Sequence, residues 1–242
     1  MGIKQFFDKL IRASFYNAKW RCLVCGKEIF NEKYICDDCE KILPYNDGAI
    51  CGHCGRKVIA YEEYCSTCKN FLVSLDACRS VFNYEKPIST LIKNLKYDNR
   101  QYLSKYLAEC LAMLYFKLYF NADMLVYVPM SEKAKRNRGF NQSEMLSREL
   151  SSIINVPTVD CVIKKRETKR QATLKKAERL KNLKDAFTLA DKKVVKDKTI
   201  VIIDDVTTTG ATAQTIAEKL KKAGAIKVYL LTVASTPPID KY

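Results

Sequence analysis

The 242-residue chain contains a single histidine, His53, so the side chain most often used for acid–base chemistry near neutral pH is almost absent. His53 itself lies inside a CxxC turn, where it reads as a solvated turn residue or a substitute thiolate ligand before it reads as a catalyst. Long apolar runs are also lacking. Leu107 to Phe120, the most apolar long stretch, carries Glu109 and Lys117 and is too short to span a bilayer, so it reads as a helix with one buried face. The first residues mix charged with apolar groups and hold no sustained hydrophobic core, which argues against a secretory signal. In that setting the eleven cysteines point to metal in a reducing cytoplasm and away from disulfides.

Positive charge is abundant. Lys and Arg number 42 against 27 Asp and Glu, a formal net charge of +15, enough to attract polyanions while saying nothing about fold. Two zinc ions on eight thiolates would bring this to about +11 and leave the basic excess standing. The first twenty residues place Phe6, Phe7, Leu10, Ile11 and Phe15 at roughly helical spacing, which predicts an amphipathic helix packed on the rest of the protein, with a membrane-surface or partner-binding helix as the alternative.

Cysteine dominates the next segment. Cys22 and Cys25, Cys36 and Cys39, Cys51 and Cys54, and Cys65 and Cys68 form four CxxC pairs arranged as a repeat, CLVCG at Cys22 returning as CGHCG at Cys51. Two CxxC knuckles complete a closed tetrahedral Cys₄ site for zinc. The repeat favours sequential sites, Cys22, Cys25, Cys36 and Cys39 for one and Cys51, Cys54, Cys65 and Cys68 for the other, with cross-braced pairing as the alternative. With every position filled by sulfur, both are structural sites. Cys78, Cys110 and Cys161 lack metal spacing and read as small buried apolar groups.

From about Cys78 the pattern alternates strands and helices: strands near Val81 to Tyr84 and Met124 to Val128, helices over Ile88 to Leu95, Leu103 to Phe120 and from about Ser143. The most informative stretch is Thr199 to Thr212, TIVIIDDVTTTGAT. Its β-branched start predicts a strand buried on both faces, and Ile216, Leu220 and Ala223 predict a helix from about Ala213. A strand, a tight polar turn and a helix start suit an anion, because the first N–H groups of a helix lack intrahelical partners and the dipole favours negative charge. Asp204 and Asp205 would repel that anion, but they suit hydroxyl donors or a hard cation such as Mg²⁺. Phosphate, diol and metal together describe a phosphorylated ribose.

VIIDDVTTTGAT closely resembles the phosphoribosyl pyrophosphate (PRPP) signature of type I phosphoribosyltransferases. The resemblance implies that Asp204 and Asp205 address the ribose hydroxyls in the catalytic site, while Thr207, Thr208, Thr209, Gly210, Ala211 and Thr212 cradle the 5-phosphate. VPMSEKAKRNRGFNQ, after the Met124 strand, carries a basic loop that reads equally as solvated surface or as a pyrophosphate site. RGFNQ at Arg138 to Gln142, the later Gln171, Leu174, Arg179, Asn182 and Phe187, LIKNLKY at Leu91 to Tyr97 and the CxxC pairs together resemble the ComF family of competence-associated phosphoribosyltransferase-like proteins. Pro129, Lys133, Arg136, Arg138 and, more weakly, Lys96 are then implied at the pyrophosphate. Lys164 to Lys184 holds ten Lys or Arg against Glu167 and Glu178, +8 over 21 residues. The resemblance makes it the flexible loop that closes over PRPP, with Arg166, Arg170, Gln171, Arg179 and Asn182 as its working residues.

These readings predict a zinc-ribbon module with its preceding helix over 1–77 and a type I phosphoribosyltransferase domain, an α/β fold with a central, mostly parallel sheet, over 78–242. They imply two structural Zn²⁺, Mg²⁺ with PRPP, and an association with DNA uptake. In hypoxanthine-type members an acid stands at the position of Thr208, so purine salvage is not supported. A second reading keeps the PRPP site as a sensor while the basic surface engages single-stranded DNA or a competence helicase. Because Lys164 to Lys184 contains no aromatic residue to stack on bases, it would hold a nucleic-acid backbone without reading sequence.

Overall fold

The computed structural model describes residues 21–29, 33–58, 62–65, 68, 74–95, 102–165, 183 and 186–236. Packing divides the chain into two compact units, 1–43 and 44–242. The composition change near Cys78 is therefore not where the packing divides, because the second cysteine half belongs to the same unit as the α/β body. The expected N-terminal helix over the first twenty residues lies outside the described residues, as do Lys96, Arg166, Arg170, Gln171, Arg179 and Asn182.

In the smaller unit, Arg21 bridges antiparallel to Glu28, and the one-turn helix α1, Asp37–Glu40, carries Cys39. The larger unit repeats the bridge with Ile50 and Lys57 before its sheet begins. Strands β1 (Ala77–Asn83), β2 (Met124–Tyr127), β5 (Thr199–Thr207) and β6 (Lys227–Ser235) form a sheet in the order β1-β6-β5-β2, and all three pairings are parallel. β3 (Val162–Lys164) and β4 (Phe187–Leu189) make a separate antiparallel hairpin at the root of the basic 164–184 segment, a feature that alternation alone did not suggest.

The β-branched run of β5 is buried on both faces as its composition requires. Ile200, Val201, Ile202 and Ile203 have no exposed surface. Helices α3 (Leu103–Leu118) and α5 (Gln142–Ile154) pack together, α3 against β6 and α5 against β5. Helix α6 (Ala211–Lys222) packs on β4 and β6, and its Ile216 and Leu220 share a core with Ile202, Leu230 and Phe187 of the hairpin. Helix α2 (Ile88–Asn94) follows β1.

The Cys51–Cys54 knuckle, first of the second repeat, is built onto β1. Cys78 N donates to His53 O at 2.6 Å, Asn46 N to Val81 O at 2.9 Å and Asn83 N to Pro44 O at 2.7 Å. Arg79 Nη1 donates to Gly52 O at 2.9 Å, and the ring of Tyr45 lies 5.0 Å from that of Phe82. Gly55 makes this approach possible. Its φ is +66°, and a Cβ there would stand 2.3 Å from Cys78 O. Gly26, its counterpart in the first repeat, has φ +76° and open space around the same position. We therefore expect Gly26→Ala to carry only the left-handed backbone cost of ~1–2 kcal/mol. Gly55→Ala adds a backbone collision and should cost at least ~1 kcal/mol more. Denaturant midpoints of the two variants check this, and equal shifts would contradict the close packing of knuckle and strand.

Candidate PRPP-type cleft and zinc centres

Asp204 and Asp205 lie within β5, at the carboxyl end of the sheet where ligands of open α/β folds gather. The strand continues through Thr207, three residues beyond the first carboxylate, so the turn is confined to Thr208, Thr209 and Gly210. Gly210 takes φ +72° immediately before α6, and a Cβ there would meet only Thr207 Oγ1, at 3.9 Å. This glycine bends the chain left-handed and keeps the mouth of the helix open. The N-cap of α6 is Gly210, which has no side chain to offer the first turn, and Thr209 Oγ1 accepts a long 3.4 Å bond from Ala211 N. A cleft of about 220 Å³ lies here, lined by Asp204, Thr207, Thr208, Gly210, Ala211 and Thr212 among others. With ~30 Å³ for a water molecule, there is room for a phosphate and part of a sugar.

Asp204 is held by a residue that the sequence reading placed only at a helix start. Ser143 Oγ donates to Asp204 Oδ1 at 2.7 Å, and Asp205 N donates to the same oxygen at 2.9 Å. Burial, followed by the charge of Asp205, raises the Asp204 pKa to about 8 even though these donors oppose the shift. Asp205 Oδ1 accepts from Val206 N at 2.8 Å. Each carboxylate thus has one oxygen fixed by the protein, while neighbouring hydroxyl donors would favour the ionised form. Tyr84, just past β1, joins the same end of the sheet through Tyr84 N and Ser235 O, 2.8 Å apart. Its phenol pKa is raised by burial and then by the charge of Asp205. Ser143 and Tyr84 are separated from the aspartates by long stretches of chain, and no local motif announced either.

The basic cluster expected as a loop is a helix, α4 (Glu132–Arg138). Ser131 caps it by accepting from Ala134 N at 3.3 Å, and Gly139 at φ +84° ends it. Lys133 and Arg136 are exposed on it. Arg138 is turned back, donating to Gln142 Oε1 at 2.7 Å, and the buried Nε2 of Gln142 has no partner among the described residues. Asn141 ties this segment to the end of β2 by donating to Val128 O at 3.0 Å and caps α5 by accepting from Ser143 N at 3.1 Å. Pro129 lines a different cleft of about 170 Å³ with Tyr127, Glu144 and Asp160. The structure brings together Asp204 and the Thr207 to Thr212 turn. Lys133 and Arg136 occupy a helix that follows the carboxyl end of adjacent β2, and Pro129 faces the other cleft.

The cysteines gather in the sequential arrangement. The four Sγ atoms of Cys22, Cys25, Cys36 and Cys39 lie within 4.8 Å of one another, as do those of Cys51, Cys54, Cys65 and Cys68. Cys36 N points at Cys22 Sγ at 3.4 Å, and Cys65 N repeats this with Cys51 Sγ at 3.3 Å. For Cys22, burial is the largest single influence and raises the pKa, but the N–H donors of Cys25, Cys36 and Val24 outweigh it and bring the thiol to about 6. This favours the thiolate that zinc needs. An all-sulfur tetrahedral donor set fits structural zinc and leaves no open coordination position.

Two family models match the chain: a phosphoribosyl transferase domain over residues 140–240 and a double zinc ribbon domain over residues 16–69. The chain is similar to Competence protein F of Haemophilus influenzae, at 29% identity over 91% of this chain and 98% of that protein. It is 30% identical to DNA utilization protein YhgH of Escherichia coli K12, over 89% of this chain and 90% of that one. Competence protein ComFC of Streptococcus pneumoniae is 26% identical over 85% and 95% of the two chains.

Proposed function

The chain belongs to the ComF family of competence-associated phosphoribosyltransferase-like proteins, and from that membership we propose that it binds PRPP with Mg²⁺ and transfers ribose 5-phosphate to an acceptor nucleophile during the handling of incoming DNA. The observation that carries this reading is the pairing of the Asp204 carboxylate with the N-terminus of α6 in one cleft, with Asp205 next to it in β5. Asp204 and Asp205 would accept hydrogen bonds from the ribose hydroxyls through the oxygens left by Ser143, Asp205 N and Val206 N. The Thr208 to Thr212 turn would hold the 5-phosphate with N–H and hydroxyl donors. Lys133 and Arg136 from α4 would meet the pyrophosphate, which Mg²⁺ would screen when bound. Stabilising the charge that develops on the departing pyrophosphate would supply most of the rate.

The cytoplasm is the proposed location. Among the described residues no helix is long and apolar enough to cross a membrane.

A second reading is favoured by Thr208, which cannot act as an acid or base at neutral pH, and by the +15 net charge. Here the cleft senses PRPP while a basic surface engages single-stranded DNA or a helicase partner. Radiolabelled PRPP with Mg²⁺ separates the two. Release of pyrophosphate in the presence of acceptor candidates supports transfer, and saturable binding without release supports the sensor. PRPP binding that is undetectable, or that persists unchanged in Asp205→Asn, would remove both.

A further inference from the structure

Lysine collects at the end of the sheet opposite the PRPP-type cleft, where neither reading of the site uses it. The segment entering β5 contributes Lys192, Lys193 and Lys196, all exposed, and half-buried Lys198. The last turn of α6 contributes Lys219, Lys221 and Lys222, and the first residue of β6 is exposed Lys227. Backbone bonds make these one surface. Asp197 N donates to Gly224 O at 2.9 Å and Ile226 N to Lys198 O at 2.9 Å. Lys221 Nζ reaches Ile226 O at 2.8 Å.

The helix dipole explains basic residues at the end of α6, but not those on the β5 approach or on β6. Two lysines are engaged by carboxylates, Lys198 with Asp123 at 3.5 Å and Lys221 with Asp76 at 2.7 Å. Those two aspartates also bind Thr199 N and Val228 N, both at 2.7 Å, so they serve to fix the strand starts. Lys192, Lys193, Lys196, Lys222 and Lys227 have no carboxylate at ion-pair distance among the described residues. Exposed Asp191, Asp197 and Glu218 stand among these lysines, which outnumber them, and a surface of net positive charge is kept only at some electrostatic cost. Its lysines are point charges on flexible stems, without the guanidinium forks that favour bidentate recognition. No aromatic side chain of these three segments offers a stacking platform.

We propose that this lysine surface binds the phosphate backbone of single-stranded nucleic acid, independently of base sequence, while the PRPP-type cleft stays accessible. The inference deepens the DNA-handling part of the functional reading by assigning it a surface. The nine residues of β5 put about 30 Å between the two ends of the sheet, so strand and PRPP can be held together.

The test measures binding of a labelled oligothymidylate to the full-length, zinc-loaded protein across a salt series, with PRPP binding measured on the same samples. Five phosphate contacts would give a log–log salt slope of about −3.5, and Lys193→Glu/Lys222→Glu/Lys227→Glu should flatten it by about 2. The triple variant should lose at least tenfold in affinity at low salt while its PRPP affinity and melting temperature are unchanged. An unaltered slope would overturn the proposal. So would a loss seen only in Lys133→Glu/Arg136→Glu, or competition between PRPP and the oligonucleotide. A lysine variant impaired on anionic phospholipid vesicles but normal on oligothymidylate would overturn it in favour of a membrane surface. PRPP binding is a separate readout, so its failure would sink the cleft assignment and leave the lysine surface to stand or fall on the salt series.

Discussion

Cys51→Ser should lower the melting temperature of the α/β body by about 10 °C, whereas Cys22→Ser, the equivalent change in the first repeat, should leave that transition in place. Each variant should retain one zinc per chain in place of two. Zinc-binding free energies of small ribbons reach ~10–16 kcal/mol and act as folding free energy. Even a loss of ~4 kcal/mol matters for a body of this size, at roughly 2–4 °C per kcal/mol. The asymmetry comes from packing. Cys51 has no exposed surface, its knuckle accepts from Cys78 N and Arg79 Nη1, and both acceptors, His53 O and Gly52 O, lie within the CxxC turn. The Cys22 site belongs to the other compact unit. Differential scanning calorimetry with a zinc assay decides the matter, and equal shifts in the two variants would contradict it.

Asp204→Asn should separate stability from binding. In the free protein Asp204 retains its proton to about pH 8, while in the unfolded chain it ionises near the ordinary value of ~3.9. The folded state therefore binds more protons across the window between those values. With the folded pKa raised, the contribution of this carboxyl to stability is greatest below about pH 4, declines as pH rises, and is fully lost above about pH 8. The asparagine variant lacks that decline. Above pH 8 it should exceed the parent by about 2 kcal/mol, discounted for the partial exposure of the group. PRPP affinity should move the other way. On the proposed reading sugar hydroxyls would donate to the ionised carboxylate, so binding to the parent should strengthen toward pH 8, by up to about tenfold per pH unit below it. Loss of the charged acceptor in the variant should weaken binding by about a hundredfold. Chemical denaturation and PRPP titration between pH 5 and pH 9 test both expectations. A variant that binds PRPP as the parent does would remove Asp204 from the ribose.

What could be read directly from the chain is what local chemistry dictates. Ile200 to Ile203 announces a buried strand, and the Thr/Gly run after Asp205 a tight polar turn; the spacing of the CxxC pairs announces two sulfur sites. All of these require only neighbouring residues. The Ser143–Asp204 bond joins residues 61 apart, and it forms because β2 and β5 are adjacent and Asn141 ties the start of α5 to Val128 at the end of β2. No periodicity encodes that adjacency. Helix α4 was hidden by its composition. Seven residues with no buried member show no apolar stripe, so the Ser131 cap and Gly139 stop were its only markers. The start of β1 at Ala77 was obscured because Cys78 and Arg79 are explained by the knuckle they touch.

The position of β1 in the order β1-β6-β5-β2 gives the second ribbon another consequence. An outermost strand offers unpaired backbone groups on which a strand from another molecule can grow. Here residues 44–53 occupy those positions, Tyr45 bridging antiparallel to Phe82 and Pro44 and His53 accepting from Asn83 and Cys78. The zinc-held segment therefore guards the border of the sheet. Chelation should promote self-association through the uncovered β1 as well as softening the fold, and the solubility of the protein becomes tied to metal supply.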